Sequence, residues 1–164
     1  MNRIVVPVAA SAILACLASQ KAEAQTAQDL VGTWTLVSST FQQSGAPTES
    51  FGPNPLGTLI FGSDGRYVLV FLRRDLPKVA SNNRLSETAE ESRAIAQGSI
   101  AHFSTYSVNG ADKTLVFRIE NSTFPNWNGT EQARPFTLAG DELTHTNPAG
   151  STGSPTRIVL RRAK

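Results

Sequence analysis

The sequence predicts an all-β protein, an eight-stranded antiparallel sheet in up-and-down order. Short runs that alternate apolar and polar residues, or that are rich in β-branched residues, recur between clusters of turn residues. The links between consecutive runs are short, which favours pairing between neighbours in sequence. Eight antiparallel strands can close into a barrel, whose interior either holds one small ligand or is filled by its own side chains.

The strands are bounded by turns of recognisable type. Asp64 and Gly65 form a hairpin turn, and the segments 109–112 and 139–141 form two more. The polar segment 147–155 is rich in Gly, Pro and Ser and predicts a longer loop. Between these turns the predicted strands are residues 32–41, 56–61, 66–73, 100–108, 114–122, 130–139, 142–146 and 156–162.

One segment departs from the strand pattern. Residues 86–97 begin with Ser86 as a capping residue, carry acidic residues in the first turn and are followed by Gly98. We therefore predict one short helix between strands three and four, which covers a sheet edge or barrel end because its apolar residues are few and small. The polar segment 75–85 predicts a mobile loop, and residues 25–29 predict a frayed tail.

The N-terminus has the pattern of an export signal over residues 1–24. Arg3 gives the positive start, residues 4–19 are apolar, and residues 22–24 have small side chains at the positions of a cleavage site. The apolar run is short for a membrane span. We therefore expect no membrane span, and a domain of residues 25–164 exported to the periplasm or the extracellular space.

A lipid anchor through Cys16 is the alternative to cleavage after residue 24. The segment 13–16 resembles a lipoprotein box. Leu14 is unusual in such a box, and Cys16 lies inside the apolar run, so we favour a cleaved signal.

The composition of residues 25–164 excludes several classes of protein. Of 15 Lys and Arg, two precede residue 25 and leave 13, and of 13 Asp and Glu, one precedes it and leaves 12, a net charge of +1. This charge predicts no nucleic-acid partner. The single cysteine lies in the signal, so no disulfide is expected. His102 and His145 are the only histidines, and we expect no metal and no cofactor.

Four motifs occur in a fixed order along the chain. The last, Pro-Asn-Trp-x-Gly-Thr-x-Gln-x-Arg, is specific, whereas Gly-x-Trp and Asp-Gly-Arg alone are weak signals. Together they resemble the lipocalin-like domain family of bacterial and fungal proteins, over about residues 29–162. The motifs are Leu-Val-Gly-Thr-Trp at 30–34, Gly-x-x-x-Phe at 57–61 with Asp-Gly-Arg at 64–66, Phe-Ser-Thr-Tyr-Ser-Val at 103–108, and the last at 125–134.

The resemblance implies a calycin-type β-barrel with an interior pocket. In related families such a pocket takes small hydrophobic molecules, and some lipocalin-like barrels act as cyclases or isomerases on small metabolites. In calycin barrels a tryptophan like Trp34 stacks under an arginine like Arg162 and closes one end. Members of the family often carry a His pair in the fifth strand, where this chain has Phe117 and Arg118. Any chemistry of that pair is therefore not expected here.

His102, Ser104 and Tyr106 project to the same side of one predicted strand. Facing a cavity, they would orient a polar group of a ligand, or His102 would act as a general base near neutral pH. The favoured alternative is that they form hydrogen bonds with one another, or with water, inside a half-polar barrel. A single His without an evident acidic partner gives little support for catalysis.

Arg134 shares the presumed inner face of its strand with Gln132. A buried guanidinium needs a partner, which is either Glu120 or another carboxylate of the chain, or an acidic or carbonyl-bearing ligand. Trp127 lies on the turn just before this strand and either anchors the turn or forms the rim that closes over a ligand.

Apolar residues occupy both faces of the third predicted strand. Phe71 lies on one face and Val68 on the other, so we expect both faces to be covered, the outer one by the 86–97 helix or by a partner subunit. Phe117 on the fifth predicted strand either lines the cavity or packs in the core.

We therefore predict an exported barrel that binds a small, mostly hydrophobic molecule with a polar or anionic end. The alternative is a cofactor-free isomerase or cyclase in which His102 or Tyr106 moves a proton. A weaker hypothesis is a filled barrel that acts as an interaction module through its apolar third strand. The candidate ligand-binding residues are Tyr106, Arg134, Gln132, Trp127, His102, Phe117 and Phe71.

Overall fold

The computed structural model describes residues 25–164. The predicted export signal, with Cys16, lies outside these residues. None of the helices in the described range has the length and apolar character needed to cross a membrane. The strands are β1 (Gly32–Gln43), β2 (Ala46–Glu49), β3 (Leu56–Phe61), β4 (Arg66–Leu72), β5 (Ser99–Asn109), β6 (Thr114–Ser122), β7 (Thr130–Ala139), β8 (Glu142–Asn147) and β9 (Thr156–Arg162), and the helices are α1 (Ala27–Leu30) and α2 (Ala89–Gln97).

Eight of these strands close into an antiparallel barrel. Their order is β1, β3, β4, β5, β6, β7, β8 and β9, and pairing between β9 and β1 completes the ring. The predicted eight-stranded, up-and-down barrel is therefore confirmed. Strand β2 is additional, and pairs with residues 40–43 of β1, of which Thr40 and Phe41 also pair with β9.

The core lies inside the barrel because side chains alternate along each strand. On β6, Leu115, Phe117 and Ile119 are buried, whereas Arg118 between them is exposed. Full burial of each such apolar side chain stabilises the fold by roughly 1.5–3 kcal/mol. On β7 the buried side chains are Gln132, Arg134 and Phe136.

Helix α2 begins later than the sequence predicted. Thr88, rather than Ser86, caps it, because the Thr88 hydroxyl accepts a hydrogen bond from the Glu91 backbone N–H and the Glu91 carboxylate accepts one from the Thr88 N–H. In the strand numbering of the structure the helix follows β4, so the predicted place between strands three and four is not matched. The unpredicted strand β2 shifts that count by one.

Two short elements were not predicted. Strand β2 is joined to β1 by Ser44 and Gly45, whose φ angles of 52° and 82° are those of a two-residue hairpin turn. Helix α1 occupies most of the segment that we expected to be a frayed tail. The Asp29 carboxylate accepts hydrogen bonds from the backbone N–H and the hydroxyl of Thr26, which fixes the first turn of this helix.

A cation–π stack closes one end of the barrel. Trp34 is fully buried, and the guanidinium carbon of Arg162 lies 4.1 Å from its ring centroid. The same guanidinium donates hydrogen bonds to the carbonyl oxygens of Val31 and Asp29, at 2.9 and 2.7 Å. A Cβ at Gly32, where φ is 126°, would lie only 3.3 Å from Arg162 Nη1, which explains the glycine two residues before the tryptophan.

The outer face of β4 is not covered by α2, contrary to expectation. The helix lies instead beside the start of β5, where the Ser99 hydroxyl donates to the Ile95 carbonyl oxygen. Val68 remains 47% exposed, next to Ile60 on β3 and Phe103 on β5. The helix has only nine residues and ends directly before β5, so it does not reach the middle of the sheet.

We expect Arg162→Met to destabilise the protein by about 2 kcal/mol, because it removes the contact with Trp34 and two charge-assisted hydrogen bonds. Urea denaturation measures the loss. Arg161→Met, a substitution at the neighbouring exposed residue, is the matched control and should change the unfolding free energy by less than about 0.5 kcal/mol. Equal effects of the two substitutions would contradict a structural role for the stack.

Candidate functional site

A cavity enters the barrel at the end opposite the Trp34–Arg162 stack. The space between its atoms, counted together with the part open to solvent at the mouth, is about 390 Å³, and the room for the centre of a water molecule is about 40 Å³. Residues of six barrel strands line it, together with Trp127 and the segments 50–51 and 150–152. The interior is therefore not completely filled by side chains.

Arg134 on β7 is the only charged side chain on this cavity wall within the described part of the chain. It is 2% exposed, and its Nη2 donates a 2.6 Å hydrogen bond to Gln132 Oε1. Its guanidinium carbon lies 4.5 Å from the ring centroid of Phe117 and 5.9 Å from that of Trp127. Burial lowers the pKa of Arg134 to about 10, so the guanidinium remains charged at neutral pH.

No carboxylate in residues 25–164 neutralises Arg134. The four ion pairs of this region all lie on the surface. Glu120, one of the two partners that the sequence suggested, is on the outside of the barrel, 3.9 Å from Arg66. The alternation of β6 explains this position, because Glu120 follows the inward-facing Ile119. The sequence left open whether the partner of Arg134 is a carboxylate of the chain or a ligand. Within the described residues, a carboxylate of the chain is excluded.

The guanidinium of Arg134 also lacks a complete set of hydrogen bonds. Its buried Nε finds no partner among the described residues. A buried charge without a counter-charge costs about 3–5 kcal/mol, and contacts with two aromatic rings and one amide offset only part of that cost. The arrangement thus favours the binding of an anion from solution.

His102 on β5 faces the cavity beside Arg134. Its Nδ1 shares a 2.8 Å hydrogen bond with the Tyr67 hydroxyl, and its ring packs edge-on against Trp127 at 5.7 Å between centroids. Burial, and then the charge of Arg134, lower the pKa of His102 to about 3. Burial raises the pKa of Tyr67. Both groups are therefore neutral at pH 7.

His145 on β8 is a second neutral histidine near the same charge. It is fully buried, its ring centroid lies 5.9 Å from that of Phe117, and neither ring nitrogen has a partner in the described region. Burial lowers its pKa well below the usual value, with a further contribution from the charge of Arg134. The surroundings of Arg134 therefore combine one fixed positive charge with two uncharged imidazoles.

The turn that carries Trp127 places the indole over these groups. The 3-10 turn Pro125–Trp127 is followed by Asn128, whose Oδ1 accepts a 2.7 Å hydrogen bond from the Ser122 backbone N–H. This bond ties the turn to the end of β6. Trp127 is thereby both an anchored turn residue and part of the cavity wall, so the two alternatives that the sequence suggested are compatible.

The cavity wall also contains hydroxyl groups that the sequence did not single out. Ser39 is 1% exposed, and its hydroxyl and that of Ser50 have no hydrogen-bond partner among residues 25–164. A β-bulge between Leu36 and Ser38 explains the omission. The extra residue Val37 reverses the alternation, so Leu36 and Ser39 both face inward. A strict period of two would have pointed Ser39 outward.

The predicted ligand-binding residues fall into three groups in the structure. Gln132 and Phe117 contact Arg134, one by a hydrogen bond and the other through its ring. Tyr106 is not brought to the cavity, because its hydroxyl donates to the Gly62 carbonyl oxygen at 3.0 Å and its ring packs on Phe61 near the closed end. On the cavity wall lie Phe71, His102, Trp127 and Arg134.

A glycine allows Phe71 to reach the cavity. The Phe71 ring lies directly over Gly57 on β3, where a Cβ would come within 2.6 Å of both Phe71 Cδ1 and the Val70 carbonyl oxygen. Any side chain at residue 57 would displace the ring. The glycine of the Gly-x-x-x-Phe motif thus shapes the apolar side of the cavity.

The residues of the described region contain no cluster of three or more His, Cys, Asp or Glu side chains that could hold a metal ion. A family model described as a lipocalin-like domain matches residues 31–163. No curated protein matches the chain.

We expect the protein to lose stability as the pH falls from about 6.5 towards 4.5. The pKa of His102 is about 3 in the folded state and 6.5 as its unperturbed value, so the unfolded state binds a proton that the folded state does not. At pH 5 this difference costs about 2 kcal/mol for His102. Burial of His145 acts in the same direction.

Urea denaturation at a series of pH values measures this loss. The two histidines are the only ones in the chain, and the exposed carboxyls with lowered pKa values titrate below this range. His145→Leu should make the profile between pH 6.5 and 4.5 less steep, and the part that remains should come from His102. A profile that is already flat in the unmodified protein would show that these imidazoles titrate normally.

Proposed function

The chain belongs to the lipocalin-like domain family, and we propose that it binds a small, mostly hydrophobic molecule with an anionic end inside the barrel. A lipocalin-like barrel indicates small-molecule binding in general. The observation that carries the finer proposal is the buried guanidinium of Arg134, which lies on the cavity wall without a counter-charge in the described residues. An anionic group of the ligand supplies that counter-charge.

The apolar part of the ligand contacts the rest of the wall. Phe51, Leu69, Phe71 and Ile100 are apolar residues of this wall. Each square ångström of apolar surface that they remove from water contributes about 25 cal/mol. The charge therefore orients the ligand, and the apolar wall supplies much of the affinity.

The geometry gives less support to an isomerase or cyclase. With a pKa of about 3, His102 holds a proton too weakly to act as an effective general base near neutral pH. The hydroxyl of Tyr106 is engaged by backbone carbonyl oxygens near the closed end. We therefore propose binding, and we assign no proton transfer to these residues.

We expect Arg134→Met to weaken the binding of 2-naphthoate by about 10- to 100-fold, the equivalent of one charge-assisted hydrogen bond or slightly more. Titration calorimetry measures the affinity, and 2-naphthamide serves as a neutral probe of similar shape. The amide should bind both proteins equally. Because the substitution also removes an uncompensated buried charge, the ligand-free variant should be at least as stable as the unmodified protein.

Arg118→Met is the matched control for this experiment. Arg118 lies on the neighbouring strand but points outward, where it pairs with Glu131 at 2.8 Å. Its loss should leave the affinity for 2-naphthoate unchanged. The proposal fails if the Arg134 variant binds 2-naphthoate normally, or if the amide binds the unmodified protein as tightly as the acid does.

We further propose that the protein is exported, to the periplasm or the extracellular space. The support is the N-terminal pattern of a basic start, an apolar run and a small-residue cleavage site. Expression of the full sequence in a bacterial host, followed by mass spectrometry of each cell fraction, should find an exported form that begins at Gln25. A form that retains Cys16 with an attached lipid would support the anchored alternative, and the full-length chain in the cytoplasm would contradict export.

A further inference from the structure

Hydrogen-bonding side chains line the cavity on several strands of the barrel. They lie on the adjoining strands β7, β8, β9 and β1 and, through His102, on β5, whereas β4 presents only Leu69 and Phe71. The polar part contains Arg134, Asn147, Thr156 and Ser39. A ligand in this cavity thus meets polar groups besides Arg134.

The hydroxyls of Ser39 and Ser50 form a second polar position, remote from Arg134 around the ring. Ser39 lies on β1, three strands from β7 through β9 and β8. The Ser50 backbone N–H donates a 2.7 Å hydrogen bond to the Ser39 carbonyl oxygen, which places the two residues side by side. Both hydroxyl oxygens are buried and lack a partner within the described chain.

These hydroxyls make a plain alkanoate a poor match for the site. A buried hydroxyl without a hydrogen bond costs roughly 1–3 kcal/mol in proteins, and the methylene chain of an alkanoate would leave both in that state. An oxygen substituent on the ligand removes the cost, because each hydroxyl can donate or accept.

The apolar part of the wall favours a ring over a chain. Phe51 and Phe71 meet edge-to-face with centroids 6.2 Å apart, and Trp127 covers the neighbouring charge of Arg134. Aromatic side chains in these orientations interact favourably with a further flat ring.

We propose, building on the binding function above, that the ligands are compact ring-bearing carboxylic acids with a second oxygen substituent, a hydroxyl or a carbonyl. Arg134 binds the carboxylate, and Ser39 and Ser50 bind the second oxygen. The flat ring between the two polar groups packs against Phe51, Phe71 and Trp127. The second oxygen thus distinguishes these acids from unsubstituted aromatic acids and from fatty acids.

The test compares 2-naphthoate, a panel of hydroxy-2-naphthoates that differ in the position of the hydroxyl, and decanoate, by titration calorimetry. At least one hydroxy isomer should bind about 3- to 10-fold more tightly than 2-naphthoate, the equivalent of one neutral hydrogen bond. Ser39→Ala or Ser50→Ala should remove this gain, and urea denaturation of the variants shows that they are folded. Ser107→Ala, at an exposed residue of β5, should retain the gain.

Three outcomes would overturn this inference. They are the absence of any hydroxy isomer that binds more tightly than 2-naphthoate, survival of the gain in both serine variants, and tighter binding of decanoate than of all the naphthoates. If 2-naphthoate binding nevertheless depends on Arg134, the anion-binding function stands and only the ligand class is wrong. If neither 2-naphthoate nor decanoate binds the unmodified protein, both proposals fail.

Discussion

The pairing of β1 with β9 is the constraint on which the cavity depends. It joins the two ends of the sheet from Trp34↔Arg162 to Phe41↔Thr156, and without it both strands would expose unpaired backbone groups. Closure places the stack of Trp34 and Arg162 at one end and leaves the other end open. The same ladder contains the bulge at Val37, so the pairing that closes the barrel also turns Ser39 towards the interior.

Arg134 serves the candidate binding site but lowers the stability of the barrel. An apolar side chain in its place would pack against Phe117 without the cost of burying a charge. The guanidinium instead lowers the pKa values of His102 and His145, with burial as the larger cause. The surroundings of Arg134 therefore have one charge that does not change over the neutral range, and an anion bound there would encounter a positive potential that varies little with pH.

The sequence predicted the features that depend on strict alternation and on turn chemistry. All eight barrel strands and the inward orientation of Arg134 follow from these two signals. The closing stack was implied by the family resemblance. The sequence did not predict features that depend on an interruption of this alternation, or on contacts between residues far apart in the sequence. The bulge that reorients Ser39 has no clear signature in a run of Ser and Thr, and the bond from Tyr106 to the Gly62 carbonyl oxygen joins residues 44 positions apart. For Ser44 and Gly45 the turn signal was present, but the short strand after it contains Pro47, which argues against a strand.

The two tryptophans of the chain occupy opposite ends of the barrel. The Trp34 indole is fully buried and donates a 2.8 Å hydrogen bond to the Leu30 carbonyl oxygen, whereas Trp127 is partly exposed at the mouth, beside His102 and Arg134. Each is thus an intrinsic fluorophore in a different environment. In a Trp34→Phe protein the remaining emission would report occupancy of the mouth, and in a Trp127→Phe protein it would report the integrity of the closed end, so one spectroscopic signal separates ligand capture from unfolding.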